Sequence, residues 1–263
     1  MELKDKVVVI TGAGSGIGRA MAMRFKAEGA KHIIAVDINA ENAQATADRV
    51  GGRAMTADVS SEPDIARVIE ETESTIGPID LFCSNAGVGI APALDSPNHE
   101  WQQSWDINLM AHVYASRHLV PKMVGRGGGY FLITSSAAGL LNQIGGASYG
   151  VTKHAAVGFG EWLAIHYQHQ GIKVSMLCPQ AVRTAMTTSP DTKESAQIQS
   201  ASVDGMIEPE EAMESVIQGL KDESFLILPH AVVLDYMRSK TANYDRWIGG
   251  MNKFMRSLLG ISN

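Results

Sequence analysis

Hydrophobic positions along the chain fall into two patterns: short continuous runs, and longer segments in which apolar residues recur every three or four positions. The continuous runs, rich in β-branched residues, predict buried strands at 6–11, 32–37, 53–59, 79–84, 129–136, 172–178 and 224–228. The recurring pattern predicts helices at about 17–28, 62–76, 98–121, 149–171, 209–220 and 244–258. Strands that alternate with helices indicate an α/β fold, a doubly wound parallel sheet of about seven strands with helices on both faces.

Composition narrows the class of protein. The 263 residues are 45% hydrophobic with a formal net charge of −6, and we expect a single domain over 1–263. The acidic balance and the lack of a Lys/Arg run argue against nucleic-acid binding. The charged start and the lack of an apolar run of about 18 residues predict a cytoplasmic protein without a membrane segment. Cys83 and Cys178 are expected to be buried thiols, and His166 and His169 lack a third ligand for a metal.

A glycine-rich turn at 12–18 joins the first predicted strand to the first predicted helix. Glycines let the backbone approach a pyrophosphate closely, while a helix N-terminus offers free N–H groups and a partial positive charge. Glycines alone would fit an ordinary tight turn equally well. The order of strand, glycine turn and helix favours a dinucleotide-binding site.

Asp37 ends the second predicted strand, at about the distance where the adenosine ribose of a dinucleotide would lie. A carboxylate there accepts hydrogen bonds from both ribose hydroxyls and repels a 2′-phosphate. Asp37 therefore favours NAD over NADP, and Ser15 agrees because the glycine turn carries no arginine or lysine for that phosphate. The alternative is an ordinary acid at a strand end.

Tyr149 and Lys153 stand four residues apart on a predicted helix and so share one face. A free phenol has a pKa of about 10, and lowering it by about 3 units requires roughly 4 kcal/mol. A nearby ammonium in a sheltered site, helped by a second positive charge such as an oxidised nicotinamide, would supply this. The alternative is two ordinary helix residues. Ser135 and Ser136 end the strand before this helix, and strand alternation does not choose between them.

Ser136, Tyr149 and Lys153 have the spacing found in the short-chain dehydrogenase/reductase family, which the chain resembles over nearly its whole length. The resemblance selects Ser136 over Ser135 and implies a Rossmann-like fold. It also implies that Ser136 places the substrate oxygen, that Tyr149 exchanges its proton, and that Lys153 lowers the phenol pKa and binds the nicotinamide ribose. Asn108 would hold a water that connects Lys153 to solvent.

The same resemblance implies a set of residues that bind NAD. They come from the glycine turn, the ends of later strands, the catalytic helix and the loop after the sixth predicted strand: Gly12, Ser15, Gly16, Ile17, Gly18, Asp37, Asp58, Val59, Asn85, Ala86, Gly87, Tyr149, Lys153, Pro179, Val182 and Thr184. The chain departs from the family pattern at Gln180, where glycine is usual. Glutamine resists a positive φ, so either the turn differs or its amide enters the pocket.

These residues predict an NAD(H)-dependent oxidoreductase that interconverts a secondary alcohol and a ketone. We expect a mobile substrate lid at about 185–210. The candidate pocket is mainly apolar, which suggests a cyclic, aromatic or terpenoid/steroid-like substrate; its residues are Ala91, Leu94, Leu140, Ile144, Ala185 and Met186, with Gln143 and Gln180 as polar candidates.

Two other functions stay open: a non-catalytic protein that senses NADH or acts as a scaffold, and a reductase of thioester-linked ketoacyl groups. Asp37 and Ser15 argue against the second, because such reductases usually use NADPH. The helix from 149 is apolar on more than one side, which predicts a homo-oligomer, either a dimer or a tetramer. The segment at about 230–263 is expected to pack on the core or on another subunit.

Overall fold

The computed structural model describes residues 1–89, 94–189 and 195–261. Within these ranges one parallel sheet is formed by β1 (Val7–Thr11), β2 (His32–Asp37), β3 (Arg53–Thr56), β4 (Leu81–Ser84), β5 (Gly129–Thr134), β6 (Ile172–Leu177) and β7 (Leu226–Ile227). The strand order is β3-β2-β1-β4-β5-β6-β7, and every pair is parallel. The order changes direction between β1 and β4, the place where open α/β sheets bind ligands at their carboxyl edge.

Helices connect the strands and cover both faces of the sheet. In the described ranges they are α1 (Gly16–Ala27), α2 (Ala40–Val50), α3 (Glu62–Thr75), α4 (Asn98–Trp105), α5 (Ala111–Gly125), α6 (Ala138–Leu141), α7 (Ala147–Tyr167), α8 (Ala185–Thr188), α9 (Ala196–Ala201), α10 (Pro209–Lys221), α11 (Val232–Ala242) and α12 (Tyr244–Leu258). One apolar cluster joins α1, α2 and α10 to the sheet, and a second joins α3, α5 and α7 to its other face. The doubly wound α/β fold expected from the sequence is confirmed.

Burial on both faces explains why the strands are continuous apolar runs. Val7 and Val9 belong to the cluster under α3, α5 and α7, while Val8 and Ile10 belong to the cluster under α1, α2 and α10. Successive side chains of a strand point to opposite faces, so a strand covered on both sides has no polar face. The period-two pattern of a half-exposed strand is therefore missing from β1.

The long helix expected at 98–121 is wrong in two respects. A π-helical turn, Asp106–Met110, separates α4 from α5, and α5 continues through Pro121 to Gly125. Proline removes one backbone donor and usually kinks a helix, but the apolar side chains around it keep α5 packed on the sheet. The π-helical turn adds one residue per turn and changes which side chains face inward.

Both cysteines are buried thiols, as expected. Cys83 belongs to β4 and Cys178 follows β6, so β5 lies between them. Two strand spacings make about 10 Å, beyond the reach of a disulfide. Burial raises the pKa of both thiols, that of Cys178 to about 12.

Candidate active site

Two adjoining cavities lie at the carboxyl edge of the sheet. The first, of about 470 Å³, runs along the ends of β1, β2, β4, β5 and β6, and we call it the sheet-edge cavity. The second, of about 330 Å³, is lined by residues of α8, α9, α11 and α12, and we call it the side cavity. Among the described residues, five line both cavities and mark their junction: Ser136, Tyr149, Gln180, Met186 and Thr187.

The sheet-edge cavity collects all sixteen residues that the sequence assigns to NAD binding, from Gly12 through Thr184. Its floor is the glycine turn, where Gly12 has φ +66° and Gly16 has φ +48°. A Cβ on Gly18 would lie 2.1 Å from the Gly12 carbonyl oxygen, so a side chain there would push α1 off the turn. Ser15 is the N-cap residue of α1, but its side chain accepts no hydrogen bond from the helix. The backbone amides of the first helical turn are therefore not capped by Ser15.

Asp37 lies at one end of this cavity with a fixed carboxylate. Its Oδ2 accepts a hydrogen bond from the Gly14 amide at 2.8 Å, and its Oδ1 accepts one from the Asn39 amide at 3.0 Å. Two backbone donors hold the acid against the glycine turn, facing the cavity it lines. Arg19, which the sequence analysis did not consider, donates to the Gly14 carbonyl and lies beside the turn without lining the cavity.

Asn85 joins two strands at the centre of the site. Its Nδ2 donates to the Thr11 carbonyl at 3.0 Å, and its Oδ1 accepts from the Thr134 hydroxyl at 3.0 Å. Thr11 ends β1 and Thr134 ends β5, so one amide connects the strands on either side of β4. The side chain of Asn85 therefore stabilises the sheet edge on which the cavity is built.

Ser136 and Tyr149 meet at the junction of the two cavities. The Ser136 side chain is hydrogen-bonded to Tyr149, and its Oγ also lies 3.4 Å from the Pro179 carbonyl oxygen. Ser135 points elsewhere, because its Oγ donates to the Lys153 carbonyl at 2.9 Å and so fixes the backbone of α7. Ser136 lines the junction of the two cavities, whereas Ser135 lines only the sheet-edge cavity, and the choice of Ser136 as the substrate-binding serine stays a prediction.

Lys153 stands beneath the phenol on the sheet-edge side. Its Nζ donates to the Thr134 carbonyl at 3.2 Å and lies 5.7 Å from the centroid of the Tyr149 ring. Burial lowers the pKa of Lys153 from 10.5 to about 8. Burial also raises the pKa of Tyr149, although the hydrogen bond from Ser136 acts in the opposite direction. In the protein alone desolvation is the larger effect on the phenol, so the lowering of its pKa that the sequence analysis expects from Lys153 together with an oxidised nicotinamide stays a prediction.

Asn108 lies behind these residues, in the π-helical turn, and is fully buried. Its amide exchanges two hydrogen bonds with the Val88 backbone, at 2.9 and 3.0 Å, and donates to the Thr152 hydroxyl at 3.2 Å. A Cβ on Gly87 would lie 3.1 Å from Asn108 Oδ1 and 3.2 Å from Lys153 Nζ, so both side chains close on that glycine. The water proposed to connect Lys153 with solvent stays a prediction.

His112 is a buried neighbour that the sequence analysis missed. Its Nδ1 lies 2.6 Å from the Ser84 hydroxyl, and burial, together with the charge of Lys153, lowers its pKa to about 3. The imidazole is therefore neutral at physiological pH. Its spacing from Asn108, four residues along one helical segment, was the available signal.

The side cavity contains only part of the pocket expected from the sequence. Ile144, Gln143, Gln180 and Met186 line it. The other expected residues do not: Leu94 is 90% exposed, Leu140 packs with the small cluster around Val233, Ala185 lines the sheet-edge cavity, and Ala91 lies outside the described residues.

Helix α12 supplies a wall of the side cavity that was expected only to pack on the core or on another subunit. Trp247, Met251 and Phe254, one apolar stripe at helical spacing, line the cavity. No residue of α12 is buried, so its stripe contributes to the cavity without belonging to the main core. The period of the stripe was visible in the sequence, but its partner was not.

Over 1–89, 94–189 and 195–261, no helix has the length and apolar character that crossing a bilayer requires. Within the same ranges, no three His, Cys, Asp or Glu side chains lie close enough together to hold a metal ion.

Comparison with known proteins gives the family. The family model described as short chain dehydrogenase matches residues 6–195. Human epidermal retinol dehydrogenase 2 is 30% identical over 237 residues, which cover 85% of this chain and 74% of that protein. Cyclohexanol dehydrogenase of Acinetobacter sp. (strain SE19) is 29% identical over 241 residues, which cover 89% of this chain and 95% of that protein.

A solved structure is also similar. The crystal structure of a short chain dehydrogenase/reductase from Burkholderia phymatum in complex with NAD superimposes with a TM-score of 0.84 and 26% sequence identity, and the match covers 93% of this chain and 96% of that chain. The chain is an oxidoreductase that belongs to the short-chain dehydrogenase family.

Proposed function

We propose that this protein catalyses the NAD(H)-dependent interconversion of a secondary alcohol and a ketone. One observation carries the proposal: Ser136 and Tyr149 face the junction of the two cavities, while Lys153 lines only the sheet-edge cavity. A substrate in the side cavity and a dinucleotide in the sheet-edge cavity would meet at this junction. The phenol then lies where a proton must be exchanged.

The residues of the sheet-edge cavity fit NAD. The glycine turn leaves space that a Cβ on Gly18 would fill, and the N-terminus of α1 offers N–H groups to a pyrophosphate. Asp37 presents its carboxylate at the ribose end, and no arginine or lysine among the described lining residues reaches that end; Lys153, at the opposite end, is the one cation. Bound there, NAD accepts or supplies the hydride, which no side chain can do.

Ser136 and Tyr149 at the junction and Lys153 beside it have separate roles. Ser136 donates a hydrogen bond to the substrate oxygen and holds it near the phenol. Tyr149 removes the hydroxyl proton in oxidation and returns it in reduction. Lys153 holds the nicotinamide ribose and stabilises the phenolate. Because burial alone raises the phenol pKa, the phenolate needs the second positive charge that the oxidised cofactor brings.

The side cavity supports a neutral substrate. Among the described residues that line it, none is charged, and aromatic and aliphatic side chains predominate. A volume of about 330 Å³ is at the small end of ligand sites. The names of two relatives, a retinol dehydrogenase and a cyclohexanol dehydrogenase, agree with an apolar cyclic alcohol.

The replacement Tyr149→Phe tests the catalytic proposal. It removes the hydroxyl and keeps the ring, so NADH binding should persist while turnover of cyclic alcohols falls by at least about a hundredfold. Turnover is measured by absorbance of reduced nicotinamide, and NADH binding by fluorescence. Tyr167→Phe is the matched control, since Tyr167 is on the same helix and lines neither cavity. Near wild-type turnover by Tyr149→Phe would refute the assignment.

The same turnover assay distinguishes the proposed enzyme from a non-catalytic protein that senses NADH. A protein that only senses NADH would bind the cofactor and oxidise no alcohol in a broad panel. The enzyme proposal is favoured because a sensor has no physical need for a serine hydroxyl hydrogen-bonded to a phenol at the mouth of a second cavity.

Homo-oligomer formation is part of the proposal. Helix α7 exposes Val151, Trp162 and Ile165, with Ile165 75% exposed, and α12 exposes Ile248. Large apolar side chains that share a helix face are costly in water and suit an interface between copies. Light scattering after gel filtration distinguishes dimer, tetramer and monomer.

A further inference from the structure

The C-terminal helices α11 and α12 form one wall of the side cavity but have little core of their own. Trp247, Met251 and Phe254 of α12 line the cavity. Of the residues in these two helices, all of which the structure describes, only Val233 is buried. Helices in proteins are stabilised mainly by burying an apolar face, so burial holds α11 and α12 only weakly. Polar contacts must therefore help to set where this wall lies.

Lys240, near the end of α11, makes such a contact with α6. Its Nζ donates a hydrogen bond to the carbonyl oxygen of Leu140 at 2.6 Å. Leu140 belongs to α6, and the last carbonyl oxygens of a helix have no partner within the helix. A hydrogen bond from a charged donor is roughly twice as strong as one between neutral groups. The ammonium of Lys240 therefore ties the end of α11 to the end of α6.

The same ammonium faces two more elements. It lies 5.6 Å from the centroid of the Tyr244 ring, at the first residue of α12, and 3.5 Å from Nε2 of His154 on α7. Nδ1 of His154 lies 2.8 Å from the Gly150 carbonyl oxygen, which can only accept, so Nδ1 carries the proton and Nε2 accepts from Lys240. Burial lowers the pKa of His154, which keeps the ring neutral near pH 7.

These contacts connect two walls of one cavity. Leu141 of α6, directly after the carbonyl that Lys240 binds, lines the side cavity. Trp247, one helical turn after Tyr244, lines it from α12. A single residue, Asn243, separates α11 from α12, so fixing the end of α11 also fixes the start of α12.

We infer that Lys240 is a positioning residue of the substrate site, which sets the width of the side cavity by holding the α12 wall against α6. Lys240 lines neither cavity, so it acts through α12 and touches no substrate. Ser136 lies two residues before α6, so the same contact sets how far the Trp247 wall stands from the reacting oxygen. This inference rests on the proposed function and names a residue that determines which alcohols bind.

Lys240→Met tests the inference, because it removes the ammonium and keeps an unbranched side chain. In the intact protein we expect KM for cyclohexanol to rise at least about fivefold, with kcat and NADH affinity within about twofold of the wild type. Across a series from cyclopentanol to cyclooctanol, the preference in kcat/KM for one ring size should fall as the wall loosens. Lys240→Arg keeps a charged donor and should restore both properties. Lys253→Met is the matched control, since Lys253 is an exposed lysine of α12 that lines neither cavity.

Binding separates this inference from the proposed function. The fluorescence of bound NADH, recorded as each alcohol is added, gives the affinity of the NADH complex without turnover. An affinity that falls in Lys240→Met and returns in Lys240→Arg, while no alcohol is oxidised, would support the positioning role and refute the catalytic proposal. Wild-type affinity and ring-size preference in Lys240→Met, or a Lys240→Arg protein as weak as Lys240→Met, would overturn the inference. So would a parallel fall in NADH affinity and melting temperature, because Lys240 would then only stabilise the fold.

Discussion

Replacing Lys153 by methionine should make the folded protein more stable near neutral pH, although the lysine is essential to the proposed reaction. Lys153 is 3% exposed, and burial lowers its pKa from 10.5 to about 8. That difference of 2.5 pKa units (10.5 − 8) means that burying the ammonium costs the native state about 3 kcal/mol whenever the lysine is charged. Lys153→Met removes this cost and keeps the length of the side chain.

The net gain is smaller, because methionine loses the hydrogen bond to the Thr134 carbonyl at 3.2 Å. A hydrogen bond from a charged group contributes about 1.5 to 3 kcal/mol, so we expect Lys153→Met to be more stable by up to about 1.5 kcal/mol at pH 7. Between pH 8 and pH 10.5 the unfolded wild-type chain keeps a proton that the folded protein has lost. Wild-type stability therefore rises relative to the variant, by about 1.4 kcal/mol per pH unit, and the advantage disappears.

Urea unfolding of both proteins at pH 7.0 and at about pH 10 measures the two free energies of unfolding. Lys31→Met is the control, because Lys31 is exposed and its replacement should change stability little at either pH. A Lys153→Met protein that is less stable than the wild type at pH 7 would show that burial of the ammonium is compensated. A stability difference that does not shrink on raising the pH would show that Lys153 is not the group responsible.

Three other changes test separate parts of the site. Asp37→Ser removes the carboxylate that would repel a 2′-phosphate, so kcat/KM for NADPH should rise at least about tenfold relative to NADH; a wild type that already uses both cofactors equally would contradict this. Gly18→Ala places a methyl group 2.1 Å from the Gly12 carbonyl oxygen, so NADH affinity and melting temperature should both fall. Gly158→Ala is the control: its methyl group meets no atom within 4 Å, so the melting temperature should stay the same or rise. Asn108→Leu removes three buried hydrogen bonds and should lower the free energy of unfolding by about 2 to 4 kcal/mol, measured in urea; unchanged stability would refute that count.

The strands and the main helices could be predicted because each signal is local. The run that forms β2, His32–Asp37, ends where the sequence places it, since a strand buried on both faces needs uninterrupted apolar residues. Helix α2, by contrast, was not predicted, because its buried face consists of Ala43, Thr46, Ala47 and Val50 and so holds a single large apolar side chain. The π-helical turn was missed for another reason: it depends on the tertiary packing that draws Asn108 inward.

The candidate active site likewise has features that the sequence predicts and features that it does not. The spacing of Tyr149 and Lys153 fixes their common helix face, and the structure brings both to the cavity edge with Ser136. The direction of the Tyr149 pKa could not be predicted, because it depends on how completely the fold buries the phenol. The wall of the side cavity was equally inaccessible, since Trp247 lies 98 positions beyond Tyr149 in the chain and no local pattern connects them.

Helix α12 has a consequence for how substrate preference could diverge among relatives of this protein. It contributes three large side chains to the side cavity, yet none of its residues is buried. Exchange of those side chains should therefore reshape the space offered to an alcohol at little expense to folding, while the sheet edge and its proton-transfer groups stay untouched. Substitutions in α12 can therefore change which alcohol binds, while the residues that transfer the proton stay in place.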